Sequence, residues 1–266
     1  PVVRRGLGVA ARRRLFLVLI GLPALLYLIG VALWPLGRGV YLSFTDYTLT
    51  RPGRINWVGL ENYQDLFADP SARQAIVNTF VFTGAAVGLQ LLIGLALALL
   101  LWRDTRFNRL CLALMLIPVT VTPLAVGLIF RAMLEPDFGI LGYWARVLGL
   151  SPTNGFLASE SLALATLVVI DVWEWTPLVA LILLAGLKSL PMDVLEAAEV
   201  DGASRFQRFR LIILPMLLPA ILLALIMRSM DAFKLYDSVF VTTGGGPNDA
   251  TNVLMFLAAK TGLEFF

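Results

Sequence analysis

The sequence is too apolar and too poor in charge for a soluble globular protein. Of its 266 residues, 59% are hydrophobic and 15% are charged, with a mean hydropathy of +0.83, whereas about a quarter of an average soluble domain is charged. Histidine is absent and Cys111 is the single cysteine, which excludes an internal disulfide, a cysteine metal site and histidine-based catalysis. The net charge of +3 is small and the arginines cluster at membrane edges, a pattern that indicates membrane topology and not nucleic-acid binding.

An arginine-rich segment precedes the first apolar run. Arg12, Arg13 and Arg14 are followed by apolar residues from Leu15 to Pro35, a run of about 20 residues that exceeds the core of a signal peptide and can cross a bilayer. No small-residue cleavage site follows it. Because basic residues favour the cytoplasmic side, we expect a first membrane helix with its N-terminus in the cytoplasm.

Four further apolar runs are long enough to span a bilayer. They occupy roughly residues 74–102, 110–134, 162–187 and 214–233, the last extending as far as Val241. The basic turn 103–109 and the segment 188–213 then lie in the cytoplasm, while 36–73 and 135–161 lie outside. Lys and Arg are denser on the side that this orientation assigns to the cytoplasm, as the positive-inside rule requires.

Prolines and glycines interrupt the apolar pattern in two places. Pro118 and Pro123 predict a kink in the third run, since proline removes a backbone donor and clashes with the preceding turn. The segment 242–247 contains three glycines and a proline, so it cannot stay helical. Residues 250–266 are then too short for a full span.

We therefore predict an all-α polytopic membrane protein with five full transmembrane helices. Residues 1–266 are expected to form one domain, truncated before a sixth helix that follows Phe266. Because the chain begins at Pro1 without a methionine, we expect it to be a piece of a longer protein.

The polar segment 188–215 between the fourth and fifth runs, the coupling segment, looks suited to contact with a partner. Ser189 is the expected N-cap of a helix with Pro191 in its first turn. Carboxylates recur every third residue near the positive end of the helix dipole, beside a shallow apolar face: Asp193, Glu196, Glu199, and Val194, Leu195, Ala197, Ala198. Gly202 should break this helix before a second one begins.

The second helix should place Phe206 and Phe209 on one face and arginines on another. A solvated loop with chance helicity also explains such a charged segment. Ala197 and Ala198 argue against that alternative, because small residues on a charged helix allow another surface to approach closely. We expect a soluble partner on the cytoplasmic side.

The coupling segment resembles the EAA loop of membrane subunits of binding-protein-dependent ABC importers. The matching residues are Glu196, Ala197, Ala198, Gly202, Ile212, Leu214 and Pro215. Other segments resemble the carbohydrate branch of that family: 58–63, 173–177, 201–204 and 243–247. The family has a final helix after the glycine-rich segment, in line with the sixth helix expected above.

The resemblance implies a maltose-type sugar permease of type I importer fold that works by alternating access in the bacterial cytoplasmic (inner) membrane. Its implied partners are a second permease subunit, two ATP-binding subunits, an extracytoplasmic solute-binding protein, membrane lipid and the sugar. The implied ATPase-coupling residues are Glu196, Ala197, Ala198, Asp201 and Gly202. The sequence lacks a GxxxxGK[ST] loop, so ATP and Mg²⁺ are expected on partner subunits, with no enzymatic activity and no cofactor in this chain.

Ionisable side chains at membrane depth, which cost about 2.5–3.5 kcal/mol each on insertion scales, indicate a candidate site. Asp171, Glu174 and Trp175 lie in the first half of the fourth run, just before Pro177. Because a sugar needs carboxylates for its hydroxyls and an aromatic ring for its apolar faces, this group predicts a solute site. The resemblance implies contacts from the fourth and fifth spans as well.

The fifth run adds Arg228, Asp231, Lys234 and Asp237 at a spacing of three, which predicts one polar stripe. We take Arg228 and Asp231 as solute-binding residues together with the group on the fourth run. Alternatively, Arg228–Asp231 and Lys234–Asp237 are ion pairs that serve packing, and the tryptophans form an interfacial belt. Arg131 is interpreted as an interface anchor.

Two other classes of protein stay open. A secondary transporter would use Asp171 or Glu174 to bind a coupling ion, and a membrane scaffold or receptor would use the coupling segment to dock a signalling protein. Within the importer class, glycerol phosphate or a polyol is the alternative solute, and Arg228 keeps an anionic solute open.

Overall fold

All regular elements in the described part of the chain are helices. The computed structural model describes residues 9–48, 53, 55–150, 152 and 155–264, and the one bridge of β type found there pairs Thr45 with Trp57 outside any strand. The predicted all-α class is confirmed.

The chain divides into two compact units, of which the first ends at Ala68. Its helix α1 (Val9–Tyr27) continues through a π-helical turn into α2 (Trp34–Leu42), and the part from Phe16 to Leu42 is long and apolar enough to cross a membrane. The predicted end of this span at Pro35 is therefore wrong. The proline follows the π-helical turn, so the helix accommodates the missing donor and continues.

A short helix, α3 (Glu61–Ala68), completes the first unit. The amide of Asn62 donates to the carbonyls of Ser43 and Thr45, both at 2.9 Å. Phe44 stacks on Trp57 with ring centroids 5.4 Å apart. These contacts fasten the segment after α2 onto α3.

The second unit begins at Asp69 and contains eleven helices in its described part: α4 (Pro70–Leu100), α5 (Arg106–Met115), α6 (Ile117–Thr120), α7 (Pro123–Leu134), α8 (Ile140–Val147), α9 (Ala163–Lys188), α10 (Met192–Val200), α11 (Arg205–Arg208), α12 (Leu214–Ala232), α13 (Asp237–Thr242) and α14 (Leu254–Glu264). By length and composition, α4, α9 and the continuous helix Arg205–Ala232 can each cross a membrane.

The third predicted span is a pair of helices bent by 94° where α6 meets α7. Pro118 and Pro123 each occupy the first turn of a helix, where the missing N–H costs little. The bend is thus larger than the expected kink. Within the described residues there are four candidate spans, or up to five if this pair counts as one.

Helix α9 packs against both α4 and α12, which also contact each other. A Cβ on Gly94 would stand 2.8 Å from Val179, and one on Gly186 would stand 2.8 Å from Leu217, so glycine permits both close approaches. Apolar side chains on the outward surfaces stay exposed, as lipid-facing helices require; examples are Leu92, Val169 and Ile226.

Helix α12 ends at Ala232, so the predicted extension of the fifth span to Val241 is wrong. The chain turns and forms α13, whose residue Val241 is buried against α7. Gly127 makes room for this contact, since a Cβ there would stand 2.5 Å from Val241. Arg131, expected to be an interface anchor, donates to the carbonyl of Val241 at 2.8 Å.

The glycine-rich segment after α13 is not helical, as predicted. It is fastened to α4 by the Asn78 amide, which donates to the carbonyls of Asp249 and Asn252 at 2.9 and 2.8 Å. The Thr79 hydroxyl accepts from the backbone N–H of Leu254 at 2.9 Å. Polar side chains of α4 therefore hold the start of α14 in place.

Candidate solute site and coupling segment

A buried arginine joins the three long helices of the second unit. Arg228 of α12 is 2% exposed, and its Nη2 donates to Asp171 Oδ2 of α9 at 2.9 Å. Its Nε donates to Gln90 Oε1 of α4 at 2.9 Å, and its Nη1 donates to Asp231. Because each guanidinium nitrogen has an acceptor, the buried charge is neutralised and hydrogen-bonded. We call Gln90, Asp171 and Arg228 the buried hub.

Gln90 bonds to both of the other residues in the hub. Its Nε2 donates to Asp171 Oδ2 at 2.7 Å and to the Asp171 carbonyl at 3.1 Å, and the side chain is fully buried. Sequence reasoning missed Gln90 because it searched for ionisable groups at membrane depth. An amide in the middle of a long apolar run, with apolar or small residues on both sides, was the signal that could have found it.

Trp175 lies against the hub and faces an open groove. The Cζ atom of Arg228 stands 4.7 Å from the indole centroid, a cation–π distance. The groove, which we call the aromatic groove, has a volume of about 370 Å³ and is lined by Trp175, Leu178, Met227, Arg228, Met230, Asp231 and Lys234. Asp231 pairs with Arg228 but keeps more than half of its side chain exposed, so it can still accept from a solute.

Glu174 lines a smaller cavity of about 80 Å³, which we call the polar notch. The residue is 1% exposed, and its Oε1 has no hydrogen-bond partner in the structure. The notch and the aromatic groove share three lining residues: Trp175, Asp231 and Lys234. The five predicted solute-site residues therefore lie together around these two cavities.

The predicted polar stripe on the fifth span is only partly present. Arg228 and Asp231 share a face of α12, but Lys234 follows the end of that helix and Asp237 begins α13. Arg228 and Asp231 form the expected ion pair, whereas Lys234 and Asp237 are not within salt-bridge distance. The turn after Ala232 still brings both residues to the notch.

Trp173 points away from these cavities. Its ring makes an edge contact with Phe130, with centroids 5.2 Å apart, and it borders a separate apolar cavity of about 460 Å³ beside Pro177. Among the described residues, no group of three or more His, Cys, Asp or Glu side chains could hold a metal ion.

The coupling segment forms a helix, a bend and a second helix, as expected. Ser189 is not the N-cap: it ends α9 and its hydroxyl donates to the Gly186 carbonyl at 2.7 Å, while Pro191 precedes α10. The hydroxyl bonds to the preceding helix because α9 continues through Lys188, so that Ser189 is its C-cap. Gly202 has φ of +76°, a conformation that glycine adopts without strain.

The predicted apolar face of α10 divides between the core and the surface. Leu195 is buried in the cluster that contains Leu187 and Leu217, while Ala197 is exposed and Ala198 is half-buried. The carboxylates Asp193, Glu196 and Glu199 are exposed, as is Asp201. The helix is therefore anchored by one leucine and presents acids and small side chains outward.

The second helix of the segment is tied to the first. Arg208 Nη1 donates to Glu199 Oε2 at 2.6 Å. The Ser204 hydroxyl accepts from Gln207 N–H, and Gln207 Oε1 accepts from Ser204 N–H, a reciprocal cap at the start of α11. Phe206 is exposed and Phe209 packs against the core, so the two phenylalanines predicted to share a face differ in burial.

Long apolar helices, a buried polar hub and an exposed helix between two spans are features of a polytopic membrane protein. The chain belongs to the family described as binding-protein-dependent transport system inner membrane component, which it matches over residues 90–264. The recognition of an ABC importer permease from the sequence is thereby confirmed.

Two relatives share much of the chain. It is 38% identical to the trehalose/maltose transport system permease protein MalF of Thermococcus litoralis, over 76% of this chain and 68% of that protein. It is 34% identical to the trehalose transport system permease protein SugA of Mycobacterium tuberculosis, over 90% of this chain and 76% of that protein.

The fold also matches a solved transporter. A chain of the bacterial alginate ABC transporter, crystallised with its alginate pentasaccharide-bound periplasmic protein, superposes with a TM-score of 0.77 at 20% identity. The match covers 96% of this chain and 85% of that one. The likeness shows that the two chains share a fold.

Proposed function

We propose that this chain is the permease subunit of an ATP-driven importer that moves a sugar or sugar derivative by alternating access. It would lie in the bacterial cytoplasmic membrane with its N-terminus in the cytoplasm, as one permease domain over residues 1–266. Segment 188–215 would be the cytoplasmic EAA loop. The names of the trehalose and maltose relatives support the solute class.

The observation that carries the proposal is the anchoring of α10. Leu195 packs in one buried cluster with Leu187 of α9 and Leu217 of α12. Because packed interiors transmit displacement with little compression, a force on α10 acts on both spans. Those two spans carry the solute-site residues, so motion at the coupling segment can change the site.

The exposed side of α10 suits a nucleotide-binding partner. We propose that Glu196, Ala197, Ala198, Asp201 and Gly202 enter a cleft of an ATP-binding subunit. Small side chains allow close approach, and the positive φ of Gly202 turns the chain away so that α10 can end inside such a cleft. ATP and Mg²⁺ would bind the two partner ATPases, and this chain would have no enzymatic activity.

The aromatic groove offers the chemistry that a sugar needs. The Trp175 ring can stack on an apolar sugar face, and Asp231 and Glu174 can accept hydrogen bonds from hydroxyls. Asp171 and Arg228 border the same cavities and hold these groups in position through the hub. A second permease subunit would supply the opposite wall, and an extracytoplasmic binding protein would deliver the solute.

Assembly and transport by variants of the coupling segment test the proposal. Glu196→Lys and Gly202→Asp should leave the subunit inserted in the membrane but remove the ATP-binding subunits from the purified complex and abolish uptake. Asp137→Lys, at an exposed carboxylate outside the segment, is the control and should assemble normally. Normal assembly and uptake in both test variants would exclude the coupling role.

The energy source separates the importer from a secondary transporter. In proteoliposomes that contain the assembled complex and the binding protein, uptake of labelled trehalose should persist with an ionophore and stop when ATP is removed. The opposite dependence would identify Asp171 or Glu174 as an ion-coupling group.

A further inference from the structure

The candidate solute site contains more carboxyl groups than cationic side chains, although an arginine is part of it. Its polar notch is lined by four carboxylates and one lysine: Asp171, Glu174, Asp231, Asp237 and Lys234. Arg228 borders the neighbouring groove and brings the cations to two. Carboxylates therefore outnumber cations around the two cavities.

Arg228 is not free to bind an anionic solute. Its guanidinium is 2% exposed, bonds to Asp171, Asp231 and Gln90, and is covered on one face by Trp175. A phosphate or carboxylate on the solute would have to displace one of these carboxylates. A displaced Asp171 would be left buried without a counter-charge, which is strongly unfavourable. A displaced Asp231 is more exposed, but it lines the same notch and would repel the incoming anion.

Glu174 Oε1 has no hydrogen-bond partner, whereas Asp171 and Arg228 are bonded within the hub. A buried acceptor without a hydrogen bond is destabilising, and a donor supplied by the solute would remove that penalty. The notch, at about 80 Å³, is much smaller than the aromatic groove, at about 370 Å³. A sugar ring therefore fits the groove better, and the notch suits a single substituent of that ring.

Lys234 does not make the site favourable for an anionic solute. Its side chain is exposed at the edge of both cavities. The carboxylates of Asp231 and Asp237, three residues away on either side, line the same notch and offset its charge.

We propose that the notch accepts a hydroxyl group of an uncharged sugar whose ring lies in the aromatic groove against Trp175. This chain's part of the site then selects against solutes that carry phosphate, sulfonate or carboxylate groups. The inference rests on the proposed transport function and narrows its substrate class from sugars and sugar derivatives to neutral sugars.

Equilibrium binding to the assembled importer tests the inference without the external binding protein, whose own selectivity would mask that of the permease. The complex is held in nanodiscs with a non-hydrolysable ATP analogue and titrated with two matched pairs, trehalose with trehalose 6-phosphate and glucose with glucuronate. In the wild type, the neutral member of at least one pair should bind at least tenfold more tightly. Glu174→Gln should reduce that ratio at least threefold, and Asp137→Asn should leave it unchanged.

The results distinguish a failure of the inferred charge selection from a failure of the solute site. Equal or tighter binding of the anionic members, or an unchanged ratio in Glu174→Gln, overturns the charge selection and leaves the transport function standing. Binding of none of the four probes to a complex that retains its ATP-binding subunits overturns the solute site and the inference together. If Glu174→Gln does not assemble, the wild-type ratios alone decide.

Discussion

Arg228 and Asp171 are 57 residues apart in the chain, yet their side chains meet at 2.9 Å between α12 and α9. The amide of Gln90 from α4 bonds to both. Each member of the buried hub thus comes from a different long helix. Since few polar groups at membrane depth can find a substitute partner, the hub fixes the relative rotation of these helices.

Removing one charge of the hub should destabilise the protein more than removing the pair. Arg228→Met leaves the Asp171 carboxylate buried and unpaired, and the loss should be about 3–5 kcal/mol. The double variant Asp171→Leu/Arg228→Met should recover part of that loss. Thermal unfolding of the purified subunit in detergent measures both, with Lys234→Met as a control expected to stay near the wild type. A double variant that is less stable than Arg228→Met would contradict this account of the hub.

Gln90 should matter although it carries no charge. Gln90→Leu removes the acceptor of Arg228 Nε and two donors to Asp171, and buried unsatisfied groups of this kind cost about 1–3 kcal/mol each. We expect a clear drop in the unfolding temperature. Gln64→Leu, on the exposed surface of α3, is the matched control. Equal unfolding temperatures for the two variants would show that Gln90 is not part of the hub in the membrane.

Trp175 should act on solute affinity through its ring. Trp175→Ala should raise the KM for uptake about three- to tenfold, the equivalent of the roughly 0.5–1.5 kcal/mol that aromatic stacking contributes. Trp175→Phe should restore most of the affinity, and both variants should keep their ATP-binding subunits. Trp173→Ala removes an indole outside the groove and should leave KM unchanged. If Trp173→Ala raised KM and Trp175→Ala did not, the assigned groove would be the wrong one.

Asn78 should control the glycine-rich segment between α13 and α14. Asn78→Ala leaves the carbonyls of Asp249 and Asn252 without their donor, so the segment should open more often. Limited proteolysis should cut residues 243–250 several times faster than in the wild type. The control Asn108→Ala removes the side-chain amide that donates to the Arg103 carbonyl in the turn before α5, and it should leave the rate of cleavage unchanged. An unchanged rate of cleavage in Asn78→Ala would mean that other contacts hold the segment.

The class and most of the long helices were predictable from the sequence because hydrophobic length and charge decide which segments enter a bilayer. The long α4 and α9 and the break at Gly202 follow from local rules of that kind. Helix ends were less predictable. The early end of α12 depends on where α13 packs against α7, and the continuation past Pro35 depends on a π-helical turn that no residue pattern announces.

The candidate site was predictable as a set of residues but not as an arrangement. A separation of three residues placed Arg228 and Asp231 on one face of a helix, so an ion pair between them was predictable. The participation of Gln90 depends on α4 lying beside α9, which the sequence of either helix does not specify. Trp173 and Trp175 are two residues apart on α9 and so point to different sides of it. Which of the two faces α12 likewise depends on packing that the sequence of α9 does not specify.

A photo-reactive amino acid at Ala197 can detect the proposed contact between α10 and the ATP-hydrolysing partner. The exposed side chain at this position should give an adduct with an ATP-binding subunit when the assembled importer is irradiated. The same group at Phe138, which is 78% exposed between α7 and α8, should give none with that subunit. An adduct with the ATP-binding subunit from Phe138 but not from Ala197 would contradict the proposed contact. An adduct between Ala197 and the external binding protein would contradict it as well.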